Sequence, residues 1–288
     1  VDRKKSQCRN RKIMCKKNKK KTIIILFITV ALLIAIAFSP LGSYGLSIGA
    51  MKIYSCSEAS NSYMSEKGID IEMPSGDGWY PFVMTFNADS EFRRFSLGKA
   101  NHLTIMYNFP EFDLKKGCSK IYDDKSPYYS SFYGAYCVDG DFGFDESGKL
   151  DEKMAGLVPK YDYTKLVLRD LGLSEEEQVF DWKVNGTVAN SEVAGTIGWQ
   201  TVDAELTVNG LLHEKKEYLR NYIQYGVPKY EVSEAFAPVN MKGRVYGKYF
   251  EEKDVSIYFY VISCDEEVIE QCDKEILKKS KISITQKE

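Results

Sequence analysis

Val255-Ser256-Ile257-Tyr258-Phe259-Tyr260-Val261-Ile262 is a run of β-branched and aromatic residues, and the stretch that follows it, Ser263-Cys264-Asp265-Glu266-Glu267-Val268-Ile269, switches to helical spacing. Ser263 and Glu266 stand at the separation of a capping box. Asp265, Glu266 and Glu267 crowd the first turn of this expected helix, and Lys274, Lys278, Lys279 and Lys281 crowd its last, as the helix dipole favours. Val268, Ile269, Cys272, Ile276 and Leu277 make its inward stripe. Just before, Val245-Tyr246-Gly247-Lys248-Tyr249-Phe250 reads as another strand, so a strand pair leads into an amphipathic helix that must bury its stripe on a sheet.

Working back from that unit, strand signals dominate. Ile69 to Met73 alternates with period two and stops at Pro74; Trp79 to Phe86 is aromatic and β-branched; His102 to Phe109 ends at Pro110; and Tyr128 to Val138 is a long aromatic run. Asn185-Gly186 and Asn209-Gly210 sit between alternating runs and predict hairpin turns. A helix is expected from Tyr163 to Leu171, capped by Asp162 and stopped by Gly172, while Leu211 to Tyr225 fits a helical face and a returning strand equally. The fold class is α+β: an antiparallel sheet with helices covering one face and a C-terminal amphipathic helix, preceded by a transmembrane helix.

The transmembrane expectation rests on charge and hydropathy. The whole chain carries 39 basic and 41 acidic residues, but residues 1–21 hold eleven of the basic ones and a single acid. The remainder after Tyr44 therefore has 28 basic and 40 acidic residues, a net of −12. Between them, Thr22 to Phe38 has no charged residue and would span roughly 25 Å as a helix. The basic head keeps the N-terminus cytoplasmic, so the body is exported. The expected organisation is a basic cytoplasmic head (1–21), a transmembrane helix or signal anchor (22–38), a juxtamembrane linker (39–56) and an exported α+β domain (57–288). Ala35-Ile36-Ala37 also offers small residues at alternate positions, and cleavage after Ala37 would secrete the body. An acidic body argues against nucleic acid as partner, because phosphate neutralisation needs clustered Lys and Arg.

Export places Cys56, Cys118, Cys137, Cys264 and Cys272 where disulfides persist, and Cys118 with Cys137 is the expected pair. Cys264 and Cys272 on one helix would be about 12 Å apart along its axis, too far to bridge.

Motif chemistry is sparse. Gly45-Leu46-Ser47-Ile48-Gly49 matches G-x-S-x-G beside the membrane run, without the strand and helix a nucleophile elbow needs. Ser96-Leu97-Gly98-Lys99 matches S-x-x-K, but neither S-D-N nor K-T-G accompanies it. The acidic stretch Asp139 to Glu152 resembles a calcium loop, with Asp141, Asp145 and Asp151 as the carboxylates it would use. Aligned on Gly148, however, it has Gly143 in the first ligand position and Met154 in the last. No metal and no cofactor is expected. Tyr128, Tyr129, Phe132, Tyr133 and Tyr136 form an aromatic cluster of the kind that contacts ligands, since tyrosine combines apolar area with a hydroxyl. The expected function is a membrane-anchored, exported binding or interaction module of a bacterial cell envelope, with the bilayer as one partner and a protein, peptide or glycan as the other. The alternative is an exported hydrolase using carboxylates or a lone His102 or His213.

Overall fold

A computed structural model describes residues 21–36, 38–39, 42, 49, 53–73, 80–87, 96–100, 102–109, 112–113, 118–169, 172–211, 218–219, 227–228 and 236–285. The strands in chain order are β1 (Ile69–Glu72), β2 (Tyr80–Asn87), β3 (His102–Phe109), β4 (Phe112–Asp113), β5 (Cys118–Ser119), β6 (Phe132–Asp139) and β7 (Phe180–Val193). They continue with β8 (Thr196–Asn209), β9 (Tyr218–Leu219), β10 (Val227–Pro228), β11 (Pro238–Phe250), β12 (Val255–Ser263) and β13 (Lys281–Ile284). The helices are α1 (residues 21–36), α2 (residues 53–60), α3 (Tyr63–Glu66), α4 (Glu152–Tyr161) and α5 (Glu266–Glu275).

Seven strands form one sheet in the order β2-β3-β6-β12-β11-β8-β7, every neighbouring pair antiparallel. β12 is its middle strand, and all nine of its residues are buried. Its side chains alternate between two cores. Tyr258, Tyr260 and Ile262 join Phe132, Tyr136, Val245 and the inner residues of α4, while Ile257, Phe259 and Val261 join Tyr133, Cys137, Trp199 and the stripe of α5. Both faces are therefore covered, not one: α4 lies over one face, and α5, α3 and the antiparallel β1–β13 ribbon lie over the other. This is why β12 shows no polar alternation, for a strand buried on both sides reads as a continuous apolar run.

The C-terminal helix has the expected buried stripe, with Val268, Ile269, Cys272, Ile276 and Leu277 all inside. Its cap is different. Asp265 accepts from the Glu267 amide at 2.9 Å, whereas Ser263 ends β12 and its hydroxyl pairs with Ser131 at 2.7 Å. Asp162 is not a cap either. Asp151 caps α4, and Pro159 inside that helix has no amide to continue the bonding ladder, so the chain runs on as a wider π-type helix through Asp162–Leu168. α4 packs closely on β7: a Cβ at Gly156 would lie 2.7 Å from the Trp182 ring.

The two Asn-Gly signals are overridden by pairing. Asn185-Gly186 lies inside β7 at a register shift, and the β7–β8 turn is Ala194-Gly195, both left-handed. Asn209 ends β8, and its buried amide accepts from Val179 N at 2.6 Å and donates to the carbonyls of Glu177 and Phe236. Of the ambiguous Leu211–Tyr225 stretch, Tyr218–Leu219 pairs with Val227–Pro228, and residues 212–217 and 220–225 lie outside the described residues. Among the described residues no helix is long and apolar enough to cross a membrane. α1 covers residues 22–36 of the expected span, and α2 begins at residue 53, within the expected linker.

Candidate functional site

Three depressions on the body are candidates. Two adjoin on the part of the α5 face that the helix leaves open. One, of about 290 Å³, is lined by Asn185, Asp203, Glu205, Lys242, Arg244 and Glu266; its neighbour, of about 440 Å³, adds Asp181, Lys183, Thr207, Asn240 and the exposed Cys264. Strand alternation explains the polarity, since these side chains are the outward set of β7, β8 and β11. Most of the charge is satisfied within the protein. Lys242 pairs with Glu266, and Arg244 donates from Nε to Asp203 and from Nη1 to Asp273. Tyr246 also donates to Asp273, so this carboxylate ties α5 to β11. Burial first, then the neighbouring Asp273, pushes the Tyr246 hydroxyl far above its ordinary pKa, and it stays a donor.

The third depression, also about 440 Å³, opens at the N-terminus of α4 and is lined by Leu97, Lys99, Gly143, Phe144, Asp145, Asp151, Lys153, Met154 and Leu157. Its floor is apolar and its rim charged, the usual composition of a small-molecule site, and its size falls in the range of about 300–1,000 Å³ typical of such sites. Both turns around it are fixed. The acidic turn closes through an antiparallel bridge between Phe144 and Leu150, and the Gln200 side chain of β8 accepts from Leu150 N at 2.8 Å and donates to the Gly148 carbonyl at 2.5 Å. The Tyr258 hydroxyl donates to the Phe142 carbonyl. Gly143 has φ +82°, and a Cβ there would approach that hydroxyl to 2.5 Å, so glycine is required. On the opposite wall, the Lys99 amide donates to the Ser96 carbonyl at 3.0 Å, and Leu97 and Gly98 are left-handed with φ of 54° and 74°.

The residues expected from sequence are distributed across several sites. Asp145 and Asp151 line this pocket, but each carboxylate is already engaged by its own turn. Asp145 Oδ1 accepts from Ser147 N, Ser147 Oγ and Lys149 N, and the Ser147 bond, then the Lys149 amide, lowers its pKa. Asp151 Oδ1 accepts from Lys153 N and Met154 N as the α4 cap. Asp141 is exposed, and its carbonyl accepts from Phe144 N. Among the described residues no three His, Cys, Asp or Glu side chains are grouped to hold a metal.

The aromatic cluster divides between core and surface. Phe132, Tyr133 and Tyr136 are buried at 0–1% exposure on both faces of β6, so these three rings pack the cores instead of offering a ligand surface. Tyr128 and Tyr129 are half-buried in the preceding turn, and the Tyr128 hydroxyl donates to Gln271 of α5 at 3.4 Å. Cys137 is a buried free thiol rather than half of a bridge, because β6 alternation points it into the α5-face core; the Cys118 side chain lies outside the described residues. His102 is exposed at the start of β3 and stacks on Tyr63 with ring centroids 5.0 Å apart, while His213 and Ser47 lie outside the described residues. No described side chain joins His102 as a nucleophile or acid partner; its amide donates to Asp139 at 2.8 Å.

Sequence reasoning missed the pocket because its lining comes from three separated segments. It also missed Asp162, which is wholly buried and accepts from the hydroxyls of Tyr136 and Tyr260. The usable signal was the mid-helix proline three residues before it. No protein-family model matches the chain, and no curated protein matches it.

Proposed function

We propose that this chain is a single-pass membrane protein of a bacterial cell envelope, with its N-terminus cytoplasmic and an exported α+β domain that serves as a binding module through the pocket at the N-terminus of α4. The observation that carries the anchor is α1 itself. Its large apolar side chains, from Ile23 to Ile36, are 46–77% exposed, so nothing else in the described chain covers them. Such a surface needs a lipid environment or a protein partner, and the eleven basic residues before it match a cytoplasmic flank. The Thr29 hydroxyl donates back to the Ile25 carbonyl at 2.9 Å, the usual way an apolar helix satisfies a threonine. What supports the binding role is the preorganised pocket, apolar inside and charged at its rim.

The test of topology is alkaline extraction of membranes from cells expressing the full chain, with protease added to intact spheroplasts. The expected result is a membrane-retained chain whose body is digested from outside. A chain extracted with its N-terminus intact, or a body protected in spheroplasts, overturns the anchor. N-terminal sequencing that begins just after Ala37 would replace the anchor with secretion.

A further inference from the structure

We infer that the pocket at the N-terminus of α4 takes a small amphipathic carboxylate, its apolar body on Phe144, Met154, Leu157 and Leu97 and its anionic end between the ammonium groups of Lys99 and Lys153. This rests on the reading of the exported domain as a binding module and names the chemistry that its pocket accepts.

The two lysines of the rim carry the choice of ligand. Among the described residues neither Lys99 nor Lys153 has an ion-pair partner, whereas Lys165, Lys242, Arg244 and Lys279 each meet a carboxylate. The carboxylates on the same rim are in the opposite condition. One oxygen of Asp145 accepts three hydrogen bonds from Ser147 and Lys149, and one oxygen of Asp151 accepts two from the first turn of α4. Asp151 is further compensated by the helix dipole behind it. Each aspartate is thus engaged on one oxygen by its own turn, while the two ammonium groups have no carboxylate partner, and an anion is what satisfies them. On a body of net −12 this rim is balanced, two lysines against two aspartates, so it selects a ligand small enough to reach the two lysines without meeting the rest of the surface.

The apolar half is equally specific. Leu97 is 69% exposed at the mouth, in a left-handed conformation that side chains other than glycine and asparagine rarely adopt. Phe144, Met154 and Leu157 line the interior, and the cavity of about 440 Å³ accommodates a ring or a short chain but not a folded partner.

The experiment uses the full chain in nanodiscs of zwitterionic lipid, labelled with carbon-13 at methionine methyls, the Met154 signal being assigned with Met154→Leu. Three probes of matched shape are titrated: phenylpropionate, phenylpropanol and phenylpropylammonium. Saturable movement of the Met154 signal is expected with the carboxylate, at an affinity about fivefold above the alcohol, with the ammonium weakest. Lys99→Gln and Lys153→Gln should each weaken the carboxylate by about threefold and leave the alcohol unchanged, while Leu97→Ser weakens both. The other methionine signals show that each variant is folded. Equal affinity for all three probes, preference for the ammonium, or unchanged carboxylate binding in the double lysine variant overturns the anion chemistry while leaving the pocket as a binding site. No saturable movement with any probe overturns the pocket as a site, and the binding-module reading with it.

Discussion

The two faces of the sheet treat charge in opposite ways. On the α4 face a carboxylate is buried outright: the π-type continuation of α4 turns Asp162 inward, and Tyr136 from β6 and Tyr260 from β12 donate to its two oxygens. On the α5 face the core holds no ion among the described residues, and charged groups gather at its margin, where the side chains of Arg244, Asp203 and Asp273 keep 27%, 38% and 21% of their surface. A charge removed from water must find every hydrogen bond inside the protein, while one at the margin can still lean on solvent. The α4 face is therefore brittle toward loss of one polar partner, and the α5 face tolerant.

The largest effect should come from Asp162→Ala, which leaves two core hydroxyls without their acceptor and opens a void beside them. A loss of about 3–5 kcal/mol is expected, read as the shift of the urea unfolding midpoint. A loss under about 1 kcal/mol would place Asp162 with the marginal charges and erase the contrast. Asn209→Ala tests the same face at its edge, where the Tyr163 hydroxyl donates to the Asn209 carbonyl at 2.7 Å and the side-chain amide ties residues 177–179 to Phe236. About 2 kcal/mol should be lost, because Val179 N and two carbonyls are stranded together.

The ion-free core of the α5 face has its own signature. Burial pushes the Cys137 thiol from an ordinary 9.0 up to about 12, so the fold favours the neutral form. Its contribution is complete below pH 9.0 and is lost as pH rises toward about 12, when the unfolded thiol ionises and the folded one does not. Burial likewise raises the Tyr133 hydroxyl on the same face, with the same sign. Circular dichroism in the aromatic region should hold to pH 9.0 and decay through this window. Mass mapping after alkylation at pH 8 should find exposed Cys56 modified first. Cys264 should follow slowly, since burial and then Asp265 raise it to about 11, and Cys137 only on unfolding. Modification of Cys137 at the rate of Cys56 would show that this core opens to water.

How much of this contrast was legible in the sequence depends on how local its causes are. β12, β3 and the stripe of α5 follow from neighbouring residues, and a reader of the sequence finds them within a residue or two. A cap is the local use of an aspartate before an apolar run, and that is what the sequence suggests for Asp162; its real partners are 26 and 98 residues away along the chain. Asn185-Gly186 failed as a turn because fourteen-residue strands pair through it, and a bulge absorbs the extra residue. The pocket failed for a like reason. Its S-x-x-K turn and its acidic turn both stand out in the sequence, but only the packing of the 96–99 turn against α4 makes them two walls of one cavity. The buried aromatic rings show the limit from the other side: composition marked them, and only the position of β6 between β3 and β12 decides that three of them face the cores.

Arg244 sharpens the comparison because it lies between the two regimes. Its guanidinium donates to Asp203 at 2.5 Å and to Asp273, but a quarter of the side chain is exposed. Arg244→Met keeps the apolar stem over the sheet and removes both bonds. A loss of about 1 kcal/mol is expected, discounted for solvent screening, and it should shrink further in high salt. A loss as large as that of Asp162→Ala would mean that Asp273 needs the arginine to dock α5, and the margin would then behave as core.

The smallest effect is expected at Lys242, where the tolerant regime is purest. Lys242 pairs with Glu266 across the open end of the α5 face, and both side chains are at least half exposed, so water competes for each charge. The bond to Lys242 holds the Glu266 carboxyl below its ordinary range, yet an acid this exposed gains little stability from such a partner. Glu266 also sits in the first turn of α5, where the helix dipole stabilises it without the lysine. Lys242→Ala should therefore leave the urea midpoint where it is in the parent chain, with no added dependence on salt. A clear loss at low ionic strength that vanishes at high salt would show that the pair helps seat the helix. The α5 face would then be held by its margin as well as by its apolar stripe.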